Sequence, residues 1–291
     1  MERYSDIVPE FEEFREIADE PQPFDARVNT LKASVDEVRD LLSEAGVEFE
    51  QRDWNEDFLK LDSRPGKTLA HWLGKIYVQE SVSGIPPLAL DPEPGDSVLD
   101  MCAAPGSKTT QMSAMMDNRG SVVANDVSQG RIKALLSNVY RTGCMNVKIV
   151  KNDGRHLKED KEFDKILVDA PCSAEGNMRE SPEVREGADA EKIEGLKKLQ
   201  KQLLEKAFNL CKPGGTVVYS TCTFAPEENE EVVSNFLDRG KLEEPEFDFP
   251  HSNGITAWKG EIGERLERCV RVYPHQLDSG GVFVAKFRKE A

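Results

Sequence analysis

Two apolar runs of this chain end in the same way. Residues 165–173 read K-I-L-V-D-A-P-C-S and residues 217–223 read V-V-Y-S-T-C-T, so Cys172 and Cys222 each stand just past a strand-like segment. A thiol acts as a nucleophile only as its anion, and at an ordinary pKa of about 8.5 only a few per cent is ionised at neutral pH. A working thiol therefore needs a cleft in which cationic or N–H groups favour the anion, and Lys108 is one cation placed to contribute. Carboxylates occupy comparable places: Asp126 and Asp153 follow two further apolar runs, and Asp169 closes the run before Cys172. Asp126 suits the two hydroxyls of a ribose, although the same residue could cap the next helix. Together the three acids outline a polar cleft for a nucleoside that carries an amino group. The turn C-A-A-P-G-S-K (102–108) supplies small residues and a helix N-terminus, which let a ligand approach backbone N–H groups. It is not G-x-G-x-x-G, so an adenosine-containing cofactor without a pyrophosphate is expected.

The elements that must position these residues alternate from Asp96 onward. Strands are predicted at 97–101, 121–126, 147–151, 165–169 and 216–220, with helical stretches such as S-Q-G-R-I-K-A-L-L-S-N-V-Y-R between them. Such alternation specifies an α/β fold with a mostly parallel, doubly wound sheet, whose ligands bind beyond the carboxyl ends of the strands. The tail C-V-R-V-Y-P-H-Q-L-D-S-G-G-V-F-V-A-K-F-R reads as two strands around a D-S-G-G turn, an antiparallel edge. Ahead of this lies a smaller α/β unit, residues 1–84. In it D-A-R-V-N-T-L-K reads as a strand, and Ser34 caps a helix that stops at Gly46. The prolines of G-I-P-P-L-A-L-D-P-E-P-G mark the boundary, leaving 85–291 as the catalytic domain.

At 291 residues the chain can bury a sizeable core, and no apolar run is long enough to span a bilayer. The acidic start M-E-R-Y-S-D lacks the layout of a secretory signal, so a cytoplasmic location is expected. Six cysteines without a Cys-x-x-Cys pair or zinc-ligand spacing read as free thiols, and no metal is expected. Cys144, Cys211 and Cys269 read as small buried hydrophobes. The net charge of −16 runs against nucleic-acid binding, but it is uneven. Residues 1–60 hold 18 acids against 7 bases and residues 223–261 hold 10 against 3, so a local basic face is possible on the remainder. The acidic excess could itself be a solubility device for a salty cytoplasm.

D-M-C-A-A-P-G-S-K-T, D-A-P-C-S-A-E-G-N-M-R and Y-S-T-C-T-F-A-P-E-E-N-E resemble the signature blocks of the Nop/Sun family of RNA cytosine carbon-5 methyltransferases. R-V-N-T-L-K and Y-V-Q-E-S-V-S-G-I-P-P extend the similarity over nearly the whole chain. The resemblance implies a Rossmann-like class I methyltransferase fold and S-adenosylmethionine as cofactor. It makes Cys102, Ala103, Ala104, Pro105, Gly106, Ser107 and Lys108 the methionine-side loop and Asp126 the ribose acceptor. It sets Asp153 at the adenine, Asp169 between cofactor and target base, and Arg131 near the cofactor. Carbon 5 of cytosine is too poor a nucleophile to be methylated directly, and a thiolate added at carbon 6 turns the ring into an enamine that can attack. Asp169, with a carboxyl raised by burial, would stabilise the charge at ring nitrogen 3.

The resemblance assigns Cys222 as nucleophile and Cys172 as the group assisting release. DNA cytosine methyltransferases use the thiol of a P-C motif, and chain logic alone does not choose between the two. Ser107 and Ala174 stand where many relatives have glycine, and both are small enough for the turns to survive. Arg64, Lys67, Lys75 and Arg179 are candidate RNA contacts, and the small N-terminal unit is the expected additional RNA surface. Transfer RNA is favoured over ribosomal RNA as substrate, and a monomer is expected. Amino-group methylation, which usually shows Asn/Asp-Pro-Pro-aromatic after the fourth strand, fits poorly with Asp169-Ala170-Pro171-Cys172.

Overall fold

The computed structural model describes residues 1–158 and 162–290. Its first helix, α1 (Phe11–Ala18), precedes a four-stranded antiparallel sheet of β1 (Phe24–Val28), β2 (Phe49–Gln51), β3 (Phe58–Leu61) and β4 (Ile76–Val78), in the order β2-β3-β1-β4. Between β1 and β2 runs α2 (Val35–Glu44). Its Ser34 cap accepts the Glu37 N–H at 3.2 Å, and it buries Val38 and Leu42 on the sheet. β1 ends at Val28, short of the strand expected through Lys32. Asn29 turns the chain there because its amide donates to the carbonyls of Gly74 (2.7 Å) and Thr142 (2.8 Å), tying both halves of the molecule together. A short helix, α3 (Leu69–Trp72), lies between β3 and β4.

The proline-rich boundary segment is not an open linker. Ile85–Leu90 forms a buried helix, α4, whose prolines occupy its first turn, where a missing N–H costs nothing. It packs with Val82 against the large sheet, together with Met112 and Val218.

That sheet begins with β5 (Ser97–Asp100), α5 (Ser107–Met115), β6 (Ser121–Asn125), α6 (Gln129–Thr142) and β7 (Val147–Val150). It continues with β8 (Phe163–Asp169), α7 (Ala190–Leu210) and β9 (Cys211–Thr221). The four contacts between β7, β6, β5, β8 and β9 are all parallel, in that spatial order. The order reverses at β5, so the crevice beyond β5 and β8 is the switch point at which ligands bind in such sheets. α7 covers one face with Leu203, Leu204 and Phe208 over Ile166, Val217 and Tyr219.

The antiparallel end is more elaborate than a single hairpin. After α8 (Glu230–Val233) come β10 (Gly240–Glu243), β11 (Ser252–Asn253), β12 (Val270–Val272), α9 (Pro274–Leu277) and β13 (Val282–Lys289). β13 runs antiparallel to β9, and its two halves pair separately with β12 and β10. The expected D-S-G-G turn is therefore the exit of a helical turn, α9, with Asp278 at φ 45°. Cys144, Cys211 and Cys269 are buried, as their lack of surrounding motif suggested. No described helix is long and apolar enough to cross a membrane.

Candidate active site

Five strand ends deliver the chemistry to one edge of the sheet. Cys102 follows β5, Asp126 follows β6, Asp153 follows β7, Asp169 closes β8 and Cys222 follows β9. The loop 102–108 carries a cis Ala104–Pro105 peptide and Gly106 at φ 109°, where a Cβ would lie 2.8 Å from Leu135 Cδ1. The positive φ is what calls for glycine at that position, since the Leu135 methyl could shift aside. Ser107 instead opens α5 in ordinary helical conformation, which explains why a residue other than glycine is tolerated.

Asp126 is buried. One oxygen accepts the Ser128 N–H at 2.8 Å and the other the Ala104 N–H at 3.2 Å, so it holds the cofactor loop and leads into the Ser128 cap of α6. The cap of α6 is Ser128 and not Asp126, so the capping reading of Asp126 does not hold, while its carboxylate does line the slot described next. Arg131 donates to Ala104 O and lies 3.5 Å from Asp126. Asp153 caps a helical turn and pairs with Arg155 at 2.6 Å, which holds its carboxyl at about 2. These groups line a slot of about 160 Å³ whose apolar walls include Met101, Pro171 and Leu203. The residues fit S-adenosylmethionine. The slot has apolar sides for a purine and acids for hydroxyl and amino groups. Beneath the loop, Asp100 gives one oxygen to Thr109 (2.6 Å) and leaves the other buried without a partner among the described residues, an acceptor suited to an ammonium. Asp100 was not a sequence candidate; as the last residue of β5 it follows the same strand-end rule as the others. Burial raises its carboxyl to about 7 and pushes the Cys102 thiol up, so Cys102 is no rival nucleophile.

Next to this slot the two thiols meet. Cys172 Sγ and Cys222 Sγ are 3.3 Å apart. The hydrogen bond to Cys222 and then burial hold the Cys172 thiol well above its ordinary range, which favours the protonated form of Cys172. Lys108 is 15 % exposed and lies 2.8 Å from Asp169, donating also to Ser83 Oγ at 3.0 Å. Burial alone would lower its ammonium; Asp169, with smaller help from Cys222, reverses this and raises it. A full positive charge therefore faces Cys222. Asp169 accepts from Ser220 at 2.8 Å, so burial, the feature expected of it, is partial and comes with a charged and a neutral partner.

The loops carrying the thiols are pinned from behind by residues to which the sequence assigned no role. Ser173 and Thr223, each next to a cysteine, share a hydrogen bond of 2.6 Å. Thr223 donates to Glu175 at 2.9 Å, and Glu175 accepts from Tyr4 at 2.5 Å. Asn229 brackets Cys222, accepting from Thr221 (2.6 Å) and donating to Thr223 O (2.8 Å). Glu228 receives the Ser173 N–H at 3.1 Å. The block P-E-E-N-E was the available signal for the last two. Tyr4, remote in sequence, had none.

Arg179 is not an RNA contact. Its side chain is 1 % exposed and donates to the carbonyls of Glu20, Pro21 and Ser279 and to Asp278. Arg64 lies over the Phe24 ring, Lys75 pairs with Glu37, and Lys67 is exposed.

Comparison with known proteins gives this geometry a family. Residues 87–288 match the model of the 16S rRNA methyltransferase RsmB/F, and residues 1–66 that of the ferredoxin-like domain found with it. The chain belongs to the RsmB/F methyltransferase family. Its fold is thus a Rossmann-like methyltransferase domain with a small ferredoxin-like domain, and S-adenosylmethionine is the methyl donor. A tRNA (cytosine(49)-C(5))-methyltransferase of Pyrococcus abyssi is 37% identical over 99% of this chain and 95% of its own length. The ribosomal RNA small subunit methyltransferase F of Shewanella amazonensis is 40% identical over 93% of this chain, which spans 59% of that longer protein. A methyltransferase homolog of Pyrococcus horikoshii superimposes with a TM-score of 0.87 at 36% identity, covering 99% of this chain and 93% of that one. NSun6 of the same organism, solved with the S-adenosylmethionine analogue SFG, gives 0.86 at 25% identity, covering 100% and 97%.

Proposed function

We propose that this RsmB/F family member methylates carbon 5 of a cytosine in RNA through a temporary bond between Cys222 and carbon 6 of the base. The observation that supports this most is the pair of thiols at 3.3 Å beside the Lys108–Asp169 ion pair, all at the strand ends that border the cofactor slot.

Bound in the slot, S-adenosylmethionine supplies an electrophilic methyl group. The chain's own groups do the rest. Lys108 favours the Cys222 thiolate, whose lone pair forms the S–C6 bond while the ring electrons move toward carbon 5 and nitrogen 3. Asp169, oriented by Ser220 and Lys108, gives a proton to nitrogen 3 as negative charge develops there and is left as a carboxylate facing Lys108. Once carbon 5 carries the methyl group, water in the site takes its proton, the freed pair re-forms the C5–C6 double bond, the S–C6 bond breaks with its electron pair returning to Cys222, and nitrogen 3 gives its proton back to Asp169. The Cys172 thiol stands at hydrogen-bond distance to receive the departing sulfur as an anion. The target base must leave its stack first, which favours unpaired RNA.

Transfer RNA is the preferred substrate in this reading, because the chain is nearly coextensive with the Pyrococcus tRNA enzyme and covers little more than half of the ribosomal RNA one. Two experiments test the proposal. With labelled cofactor, Cys172→Ala accumulates denaturant-resistant protein–RNA adducts and Cys222→Ala forms none. Adducts on Cys222→Ala, or loss of every adduct in Cys172→Ala, overturn the assignment. Bisulfite sequencing of RNA from cells with and without the gene identifies the cytosine.

A further inference from the structure

Acids are spread through this chain, and among the stretches that lack them are two rich in cations. Residues 63–79 carry Arg64, Lys67 and Lys75, residues 127–152 carry five Lys or Arg, and neither contains an Asp or Glu, in a protein with 54 acids. The fold brings the two stretches together. Arg141 of α6 donates to the carbonyls of His71 (2.9 Å) and Ile76 (3.0 Å), and Lys32 bridges Leu73 O (3.0 Å) and Arg141 O (2.8 Å). Between them lies a cleft of about 320 Å³, bordered by His71, Tyr77, Ser83, Ser107, Asn138 and Arg141. Its floor is fixed, since Asn138 donates to Tyr77 Oη and to Pro105 O, both at 3.0 Å. Its inner end is the reaction centre, because Ser83 accepts from Lys108, which pairs with Asp169. Glu80 is the acid on this lining, and burial raises its carboxyl to about 7, which blunts its charge near neutrality.

The segment that borders the cleft, α3 and the β4 strand after it, exposes apolar side chains where a surface is normally polar; Val78 lines the cleft itself. Leu69, Trp72, Leu73 and Val78 stand 57%, 72%, 46% and 41% exposed within this one stretch. Single exposed apolar residues need no explanation, but four in so short a span beside cations do. Aromatic faces flanked by cations are how proteins hold single-stranded nucleic acid, because bases stack on the rings while phosphates meet the charges.

We propose that this cleft holds the unpaired RNA segment flanking the target cytosine, with Trp72 as the stacking platform for one base and Lys67 and Arg141 facing its phosphates. The inference rests on the RNA reading above and adds a location and a strand path to it. The ferredoxin-like domain and α6 thus read the neighbours of the base that Cys222 attacks.

The test uses the full chain with an unmodified tRNA transcript as probe, measuring binding across a salt series and steady-state methylation. Trp72→Ala is expected to raise Kd and KM for RNA about tenfold, the scale of one lost stack, with kcat, cofactor KM and melting temperature unchanged. Trp72→Phe restores most of the loss. Lys67→Gln lowers the slope of log K against log salt by about 1. Wild-type RNA affinity in Trp72→Ala overturns the assignment. So does unchanged RNA affinity with loss of a dimer or of a protein partner, which would make the face a protein interface. If RNA is methylated normally by Trp72→Ala, the cleft fails and the carbon-5 reading stands. If RNA binds through Trp72 but no methyl group is transferred, the reverse holds.

Discussion

Asn229 offers the sharpest quantitative check on how the nucleophile is held. Its amide is fully buried, accepting from Thr221 at 2.6 Å and donating to Thr223 O at 2.8 Å, so one side chain clamps the residues on both sides of Cys222. Asn229→Ala removes two hydrogen bonds of about 1 kcal/mol each and strands the Thr223 carbonyl, a further 1–3 kcal/mol. The sum is about 3–5 kcal/mol, or about 6–10 °C of melting temperature at roughly 2 °C per kcal/mol for a chain of this size. Turnover suffers separately, because a 1 Å misplacement of a reacting group costs on the order of 100-fold. The cofactor slot does not touch Asn229, so cofactor affinity is expected to stay within about twofold of wild type. Asn229→Asp keeps the acceptor for Thr221 but sets a carboxylate against the Thr223 carbonyl, and it should be no better than alanine. Calorimetry, single-turnover methylation and isothermal titration with cofactor read the three quantities. An Asn229→Ala protein that melts within 1 °C of wild type and turns over normally would refute the clamp.

Two further substitutions test local claims. Ala174 sits at φ 64°, a left-handed conformation that costs an L-residue about 1 kcal/mol, so Ala174→Gly should raise the melting temperature by about 2 °C; a lowered value counts against the strain. Burial raises the Asp100 carboxyl to about 7, against 3.8 for an ordinary one. A group whose folded pKa is raised contributes stability at low pH and loses it as pH rises through the folded value. The stability advantage of Asp100→Asn over wild type should therefore grow between about pH 4 and pH 7 and level off above. Denaturant titrations that show a constant difference over this window would contradict the burial argument.

The strand-end residues were legible because a parallel sheet exposes its carboxyl ends by construction, so a polar residue after a β-branched run has one place to go. Cys102, Asp126, Asp153, Asp169 and Cys222 illustrate this. Arg179 was not legible, since an arginine reads as surface unless the carbonyls that will surround it are known, and those lie in Glu20, Pro21 and Ser279. Ile85–Leu90 was read only as a boundary marker because prolines usually interrupt helices, whereas two prolines in a first turn start one. The β10 and β11 strands are too short to carry a period, and their pairing with β13 and β12 is decided by long-range contacts. Tyr4 and Glu175 meet across 171 residues of sequence, a distance at which no local pattern operates.

That last pairing also bears on how the protein is made. The segment with Tyr4, Val8 and Phe14 packs on Phe224 and Tyr273, residues made much later in synthesis. These side chains must wait for their later-made partners before they can dock. The strands β5, β6 and β7 precede Glu175 and Thr223 in the chain and can pair first, so the rear support of the thiol loops is completed after much of the parallel sheet has been made.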